Sequence, residues 1–524
     1  MDGKTVVKSG SADGTGDSAA NCPKRVLFED ALTLAKFGRF NYALIAIAGT
    51  VLAAVMLEML SISYVIAVAE CDLELTSGQK GILGAMALAG TIAGSHLWGF
   101  LADTLGRRKV IIPTLLMTNA VSFASSMMTN FWMITICRFL TGFFICGASA
   151  SIYAYLGEFH NQRDRSRAIM AASFVHSIGC PLLPGLAYII INQSWAFTIP
   201  ILDIVYRPWR LFLVICGLPG FISALALLKF PESPKFDLNQ GNVKRAMETI
   251  QWMHRFNSGN AESPLQIQLI LGEAEVQPSR DHSKGAKAVL ELIWNQTAPL
   301  FKRPYLHKTI LMCFLQFGTY ITAHGMFMFF PGLLDQLVKA QEAGIDRITL
   351  CDIVYAHNPL EASSDQTTCT QSLSLATYGY SITLDIIYVL GFLVIGLLVN
   401  AVGRLAILVF VFTGCGACGV LAVLVDIPLL SMWLYIMMMM SGFTVSVVSA
   451  VTVDLFPTSL RAMAVGISLM CGRIGGVFGT NLAGLLLDSQ CELTFGITCS
   501  ILLLCSVLSF FIPNINKKVQ PDSS

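Results

Sequence analysis

Charge is scarce in this chain. Asp, Glu, Lys and Arg make up 13% of its 524 residues, and 54% are hydrophobic, whereas soluble domains carry roughly 25% charged residues. The deficit excludes an ordinary water-soluble protein and puts most of the chain in lipid. A phosphate-binding G-x-x-x-x-G-K-[ST] loop is missing, so ATP hydrolysis is not the expected energy source. The longest polar segments between apolar runs, 231–306 and 334–373, are too small for a catalytic domain, and no enzyme is expected. No apolar signal-peptide core precedes residue 40, so the first span is expected to serve as its own insertion signal. Fifteen cysteines are present, most inside apolar runs where Cys behaves as a small buried hydrophobe. No cofactor, metal centre or nucleic-acid partner is expected. The partners expected are the lipid bilayer, a small organic solute and protons, with the chain acting as a monomer.

What the chain does have is apolar length. Runs of about 20 residues, enough to cross a ~30 Å hydrocarbon core as helix, recur twelve times. They fall at 42–67, 81–101, 110–129, 131–157, 167–191, 209–230, 307–333, 374–399, 404–425, 428–452, 462–487 and 491–512. Orientation follows from the cations. With both termini inside, and with Arg167, Lys308, Arg404 and Arg210 at span ends counted with the loops they adjoin, the inside segments hold 26 Lys and Arg and the outside segments hold five. The expected organisation is an inside tail over 1–40, a six-helix half over 41–230 and an inside central loop over 231–306. A second six-helix half then covers 307–512, with the outside loop 334–373 inside it, and an inside tail covers 513–524.

The densest charge lies between the second and third runs, in Gly99-Phe-Leu-Ala-Asp103-Thr-Leu-Gly106-Arg107-Arg108-Lys109. Gly106 can take the positive φ a tight turn needs. Asp103, at a helix end, can accept from the orphan amides that open a neighbouring helix. The pattern returns at Gly396, Asn400, Gly403 and Arg404, shifted by 297, and Glu158-x6-Arg165 returns as Asp454-x6-Arg461, shifted by 296. Two motifs repeating at nearly one offset make the chain two pseudo-symmetric halves. The second copy is weaker, with Asn400 for the acid and Leu405 for the second Arg. In VKRAMETIQWMHRF of the central loop, Val243, Met247, Ile250 and Met253 sit at helical spacing.

The charged loop resembles the signature between the second and third spans of the major facilitator superfamily, G-x-x-x-D-x-x-G-R-R. FPESPKF, from Phe230 to Phe236, resembles the PESPR signature of sugar-porter-like and organic-ion-porter-like members, with Lys235 in place of Arg. The run from Leu83 to Lys109 is most similar to the synaptic vesicle glycoprotein 2 family. The resemblance implies an all-α membrane protein of twelve transmembrane helices in two six-helix halves. It further implies a secondary active transporter of a small organic solute, working by alternating access, with protons as the candidate coupling ion. The alternative is a non-transporting vesicle-membrane regulator or receptor on the same fold. Either an intracellular vesicle membrane or the plasma membrane is the expected location. That family usually carries two acids in its first span; here only Glu58 remains, with Val55 where the other aligns.

A charge at mid-bilayer costs at least about 2.5–3.5 kcal/mol, so ionisable residues within spans are functional candidates. Glu58 in the first span and Arg138 in the fourth lie at similar depth. They resemble the proton-coupling pair of sugar-porter-like members, and a static packing pair is the competing reading. Asp385 in the eighth span and Arg473 in the eleventh are the counterpart charges; Arg473 can hold an anionic substrate or pair with Asp385. His324 in the seventh span joins the cavity candidates. Asp103, Arg107, Arg108, Glu158, Arg165, Asp454 and Arg461, with Gly99 and the turn glycine Gly106, form a charge set at inside helix ends that can latch the halves. Asn192-Gln193-Ser194 is a glycosylation sequon placed outside, whereas Asn295-Gln296-Thr297 falls inside and is expected to stay bare. Cys351 and Cys369 share the longest outside loop and can pair, two free thiols being the other reading.

Overall fold

The computed structural model describes residues 25–200, 204–258, 269–271, 294, 297–345, 347–362 and 372–513. Six long helices form the first half: α1 (Arg39–Val68), α2 (Ser77–Leu105), α3 (Arg107–Ser126), α4 (Phe131–Glu158), α5 (Gln162–Ile191) and α6 (Pro208–Leu227). Six more form the second: α7 (Leu306–Glu342), α8 (Leu375–Val402), α9 (Arg404–Leu424), α10 (Pro428–Leu455), α11 (Thr458–Leu486) and α12 (Cys491–Ser509). Among the described residues, 11 helices are long and apolar enough to cross a bilayer. The twelfth is α3. Its 20 residues rise about 30 Å, the thickness of a hydrocarbon core, but three cations open it. Two short strand pairs add to the helices: Arg25–Leu27 runs parallel to Leu269–Leu271, and Phe197–Ile199 antiparallel to Ile204–Tyr206.

The repeat is visible in the backbone. Gly106 and Gly403 both take positive φ, +112° and +91°, at the turns into α3 and α9. Within the first half α2 and α4 touch main chain to main chain. A Cβ on Gly142 would lie 1.9 Å from the Ala87 carbonyl oxygen, and one on Gly90 2.0 Å from that of Phe139. Helices α7 and α11 meet the same way at Gly475 and Gly479. Three helices are interrupted. Helix α5 breaks at Cys180–Pro181, α7 passes through a π turn over Ile321–Gly325, and α10 through a tight turn over Met440–Phe443.

At the end opposite the cation-rich loops, α7 runs on to Glu342, past the expected end at 333. Its apolar face continues through Leu333, Leu334, Leu337 and Val338, all buried. Lys339 and Asp335 pair at 2.6 Å. A further helix, Leu350–Ala362, is tethered by a disulfide from Cys351 to Cys491 at the start of α12. This corrects the expected Cys351–Cys369 pairing. The true partner is 140 residues away, a separation no loop-based reading reaches, and Cys369 lies outside the described residues. Non-reducing peptide mapping should recover the Cys351–Cys491 peptide, and Cys491→Ser should lower stability by about 2–5 kcal/mol. A melting midpoint unmoved by Cys491→Ser would show that the tether carries no load. The sequence also holds a C-x-x-C pair on α9, Cys415 and Cys418. Cys415 is buried there and its thiol donates to the Met437 carbonyl at 3.3 Å, as a packing residue does.

The central segment covers the cation-rich end of the first half. Ser233 caps the short helix Pro234–Asn239, and Val243–Ser258 is helical with Met247, Ile250 and Met253 buried. Asn257 then works as a cap for another helix. Its Oδ1 accepts from Phe40 N at 2.9 Å and its Nδ2 donates to the Lys36 carbonyl at 2.7 Å, which satisfies an orphan amide at the start of α1.

Candidate functional site

Glu58 and Arg138 are brought together, inside the first half. They are 1% and 0% exposed. Arg138 Nη1 lies 3.8 Å from Glu58 Oε2, and its Nη2 donates to the Glu58 main-chain carbonyl. The carboxylate has a closer partner on α3, where Ser122 Oγ reaches both oxygens at 2.7 Å. Gly217 of α6 leaves the space, since a Cβ there would stand 2.9 Å from Glu58 Oε1 and 2.8 Å from the Asn119 amide. Four helices therefore meet at one acid. Ser122 was not anticipated, yet α3 carries a signal for it: Thr114, Thr118, Ser122 and Ser126 recur every fourth residue, and all four are buried. A one-turn stripe of hydroxyls on a membrane helix marks its polar inner face. Two guanidinium nitrogens of Arg138, Nε and Nη1, are buried with no hydrogen-bond partner. The guanidinium is thus held by the nearby Glu58 charge and by the bonds of Nη2 alone, to the Glu58 carbonyl and, at 3.5 Å, Ser61 Oγ.

The second-half charges do not pair with each other. Arg473 of α11 faces Cys146 of α4 across the seam between the halves, beside Tyr320 and His324 of α7. The interrupted stretch of α7 presents His324, whose ring stacks on Tyr320 at 4.6 Å. Asp385 of α8 faces Tyr64 of α1, Cys180 of α5 and Tyr388. Among the described residues, no acid forms an ion pair with Arg473 and no cation with Asp385.

The charge set at the cation-rich end closes within each half. Arg107 bridges Asp103 at 3.0 Å and Glu158 at 3.1 Å, with its guanidinium 5.4 Å from the Phe236 ring. Arg108 donates to the Leu227 and Leu228 carbonyls at 3.0 and 2.8 Å, capping α6. Arg165 donates to the Gly157 carbonyl at 3.0 Å and pairs with Glu29, not with Glu158. In the second half Asp454 pairs with Arg404, and Arg461 Nε is buried with no hydrogen-bond partner among the described residues. The acid that accepts from the amides opening α3 is Glu232, from Arg108 N at 3.0 Å and Lys109 N at 3.3 Å. Asp103, expected in that role, is 65% exposed at its side chain. Glu232 belongs to the PESPKF stretch, which was legible as a signature but not as a cap. Between these helix ends His160 is 2% exposed, and burial holds its imidazole below the ordinary pKa.

Among the described residues, the ion pair and most of the hydrogen bonds that cross the seam lie at the other end. Ser77 Oγ donates to Asp488, Lys80 stands 3.8 Å from Asp488, and Asn192 joins Leu373 and Tyr378. Gly81 packs on Thr480 and Gly484 there. At the cation-rich end Gly99, Gly396 and Gly403 have nothing within 4 Å of where a Cβ would project.

Residues 40–344 and 359–524 match the profile of the family described as the Major Facilitator Superfamily. Synaptic vesicle glycoprotein 2B of Homo sapiens is 26% identical over 315 residues, covering 57% of this chain and 46% of that protein. Synaptic vesicle glycoprotein 2A of Rattus norvegicus is 26% identical over 336 residues, covering 61% and 45%. The chain thus spans about half the length of these curated relatives. Among solved structures, a partially occluded inward-open form of the xylose transporter XylE from E. coli aligns with a TM-score of 0.60 at 16% identity, over 91% of this chain and 99% of that one. A nucleoside transporter aligns with a TM-score of 0.59 at 13% identity, over 93% and 100%. Likeness at such identities speaks for the fold and not for the solute.

Proposed function

The chain belongs to the Major Facilitator Superfamily, and from that premise we propose that it is a secondary active transporter moving a small organic solute by alternating access. The observation that carries this reading is the seam, bonded across at one end and, among the described residues, with no cross-seam bond seen at the other. A two-half bundle in that shape is one state of a rocking pair. The count of 26 inside against five outside cations supports placing that unbonded, cation-rich end and both termini in the cytoplasm. The state described is then inward-facing, in a vesicle or plasma membrane. The charges at the cation-rich end hold each half rigid, so that the halves move as bodies. In the other state they are free to meet across the seam.

Arg473 supports the choice of solute class. A guanidinium near mid-membrane with no acidic partner needs water or an anion, and Tyr320 and His324 give it an aromatic wall. The solute therefore carries a negative group. Arg473→Gln should raise the KM for such a solute by roughly tenfold or more, the worth of one charge-assisted hydrogen bond, with surface expression kept. The reading itself is tested by uptake into liposomes of a panel of small organic anions, cations and neutral solutes at two pH gradients. Uptake of an anion above protein-free controls supports it. No uptake of any member by folded protein would favour the regulator reading instead.

A further inference from the structure

The offset that relates the signature loops also relates the ends of the bonded seam. Asn192, the C-cap of α5, shifted by 296 becomes Asp488, just past α11. Ser77, which opens α2, shifted by 297 becomes Ser374, the N-cap of α8, and Lys80 and Gly81 become Thr377 and Tyr378. These equivalent positions carry the bonds between the halves. On one flank Ser77 donates to Asp488, and Lys80 lies 3.8 Å from Asp488 and 2.6 Å from Glu70. On the other, Asn192 Nδ2 donates to the Leu373 carbonyl at 3.1 Å, and Asn192 Oδ1 accepts from Tyr378 OH at 2.8 Å. Tyr378 is 1% exposed, with its ring stacked 6.3 Å from Tyr64 of the first half. Each bond set ties the residue that ends α5 or α11 to the turn that opens α8 or α2.

We propose that these are the two symmetry-related bolts of the outer gate, and that Asn192 serves in one of them as an amide, leaving its sequon bare in the folded chain. A glycan would be joined to Nδ2 itself, the atom donating to Leu373. It would replace one of the two hydrogens there and set a sugar ring into a seam one hydrogen bond wide. The one hydrogen left could reach Leu373 only with the sugar turned out of the seam, so glycan and closed gate compete. Composition alone could not show this, because Asn-Gln-Ser reads as an acceptor wherever it faces outside.

The gate rests on the rocking-halves reading, so the test reads conformation without needing a solute. The full chain is expressed in cultured cells with Thr480→Cys as reporter. Thr480 is 0% exposed and faces Gly81 and Gly84 across the seam. Labelling by a membrane-impermeant maleimide should rise about fivefold or more when Asn192→Ala and Asp488→Ala are added. Ser194→Ala deletes the sequon and keeps the amide, so labelling and glycosidase-treated gel mobility should match the parent. Should the alanine pair fail to reach the surface, Asn192→Asp with Asp488→Asn exchanges the residues of the two halves, keeps one acceptor in each bolt and should give intermediate labelling. Parental labelling in both pairs would overturn the gate. A glycosidase shift in the surface parent that Ser194→Ala abolishes would overturn the role of Asn192. A chain that takes up no solute yet shows the labelling changes would retain the gate and lose only the transport reading.

Discussion

Gly142→Val is expected to leave almost no monodisperse protein after detergent extraction. A Cβ at Gly142 would stand 1.9 Å from the Ala87 carbonyl oxygen, and its partner contact, Gly90 against the Phe139 carbonyl, is as close. Both obstacles are main chain, so no rotamer change relieves them. Helices in lipid associate through such close approach of small residues. Moving α2 off α4 would also break the bond from Trp98 Nε1 to the Phe143 carbonyl, 2.7 Å long. Overpacking a well-filled core costs about 1–3 kcal/mol and sometimes more, a large share of a total stability near 5–15 kcal/mol. Valine adds two methyls beyond the Cβ and belongs at the severe end. Gly142→Ala should fold and melt several degrees lower. Fluorescence-detected size exclusion and a thermal ramp separate the two. A Gly142→Val protein with the parent's elution and melting midpoint would show that glycines do not set the α2–α4 distance.

How much of this was legible depended on whether the signal was local. Twelve apolar runs and the turn glycines Gly106 and Gly403 are properties of short windows, and the structure has a helix at each run and a positive φ at each glycine, with α7 running past its expected end. Helix rise and direction put Glu58 and Arg138 at similar depth, the family resemblance put their helices side by side, and the two stand 3.8 Å apart. What stayed hidden was set by which helix faces which. Glu232 caps α3 from 124 residues away, Asn257 caps α1 from 217, and Cys491 bonds Cys351 from 140. None of these spacings leaves a trace in composition. The π turn that presents His324 is equally silent, because Ile321 to Gly325 reads as continuing helix. The seam bolts fall between these cases: their offset is in the sequence, but nothing marks Asn192 as an equivalent of Asp488 until both are seen bonded.

Glu58→Gln should remove the dependence of uptake on the pH gradient and spare exchange of solute for solute. Glu58 is 1% exposed and its charge is balanced by Arg138 at 3.8 Å, a looser contact than the 2.7 Å bonds from Ser122. An acid held to its cation that loosely, with a hydroxyl able to serve either protonation state, can trade Arg138 for a proton as the halves rock. The amide of glutamine keeps a partner in Ser122 and cannot make that trade. Exchange needs rocking with solute bound and no proton release, so it survives. The competing outcome follows from the same contacts. Arg138 is fully buried, and removing its counter-charge leaves a cation whose cost is about 3–5 kcal/mol where nothing compensates. Its bond to the Glu58 carbonyl survives the substitution, because that oxygen is main chain, so the loss should fall below that range. If the pair only packs, Glu58→Gln lowers the melting midpoint with pH dependence intact, and adding Arg138→Gln restores much of it. A stable Glu58→Gln protein still driven fully by the pH gradient would remove Glu58 from both roles, leaving Asp385, an acid midway along α8 with no cation paired to it among the described residues, as the place to look for the proton.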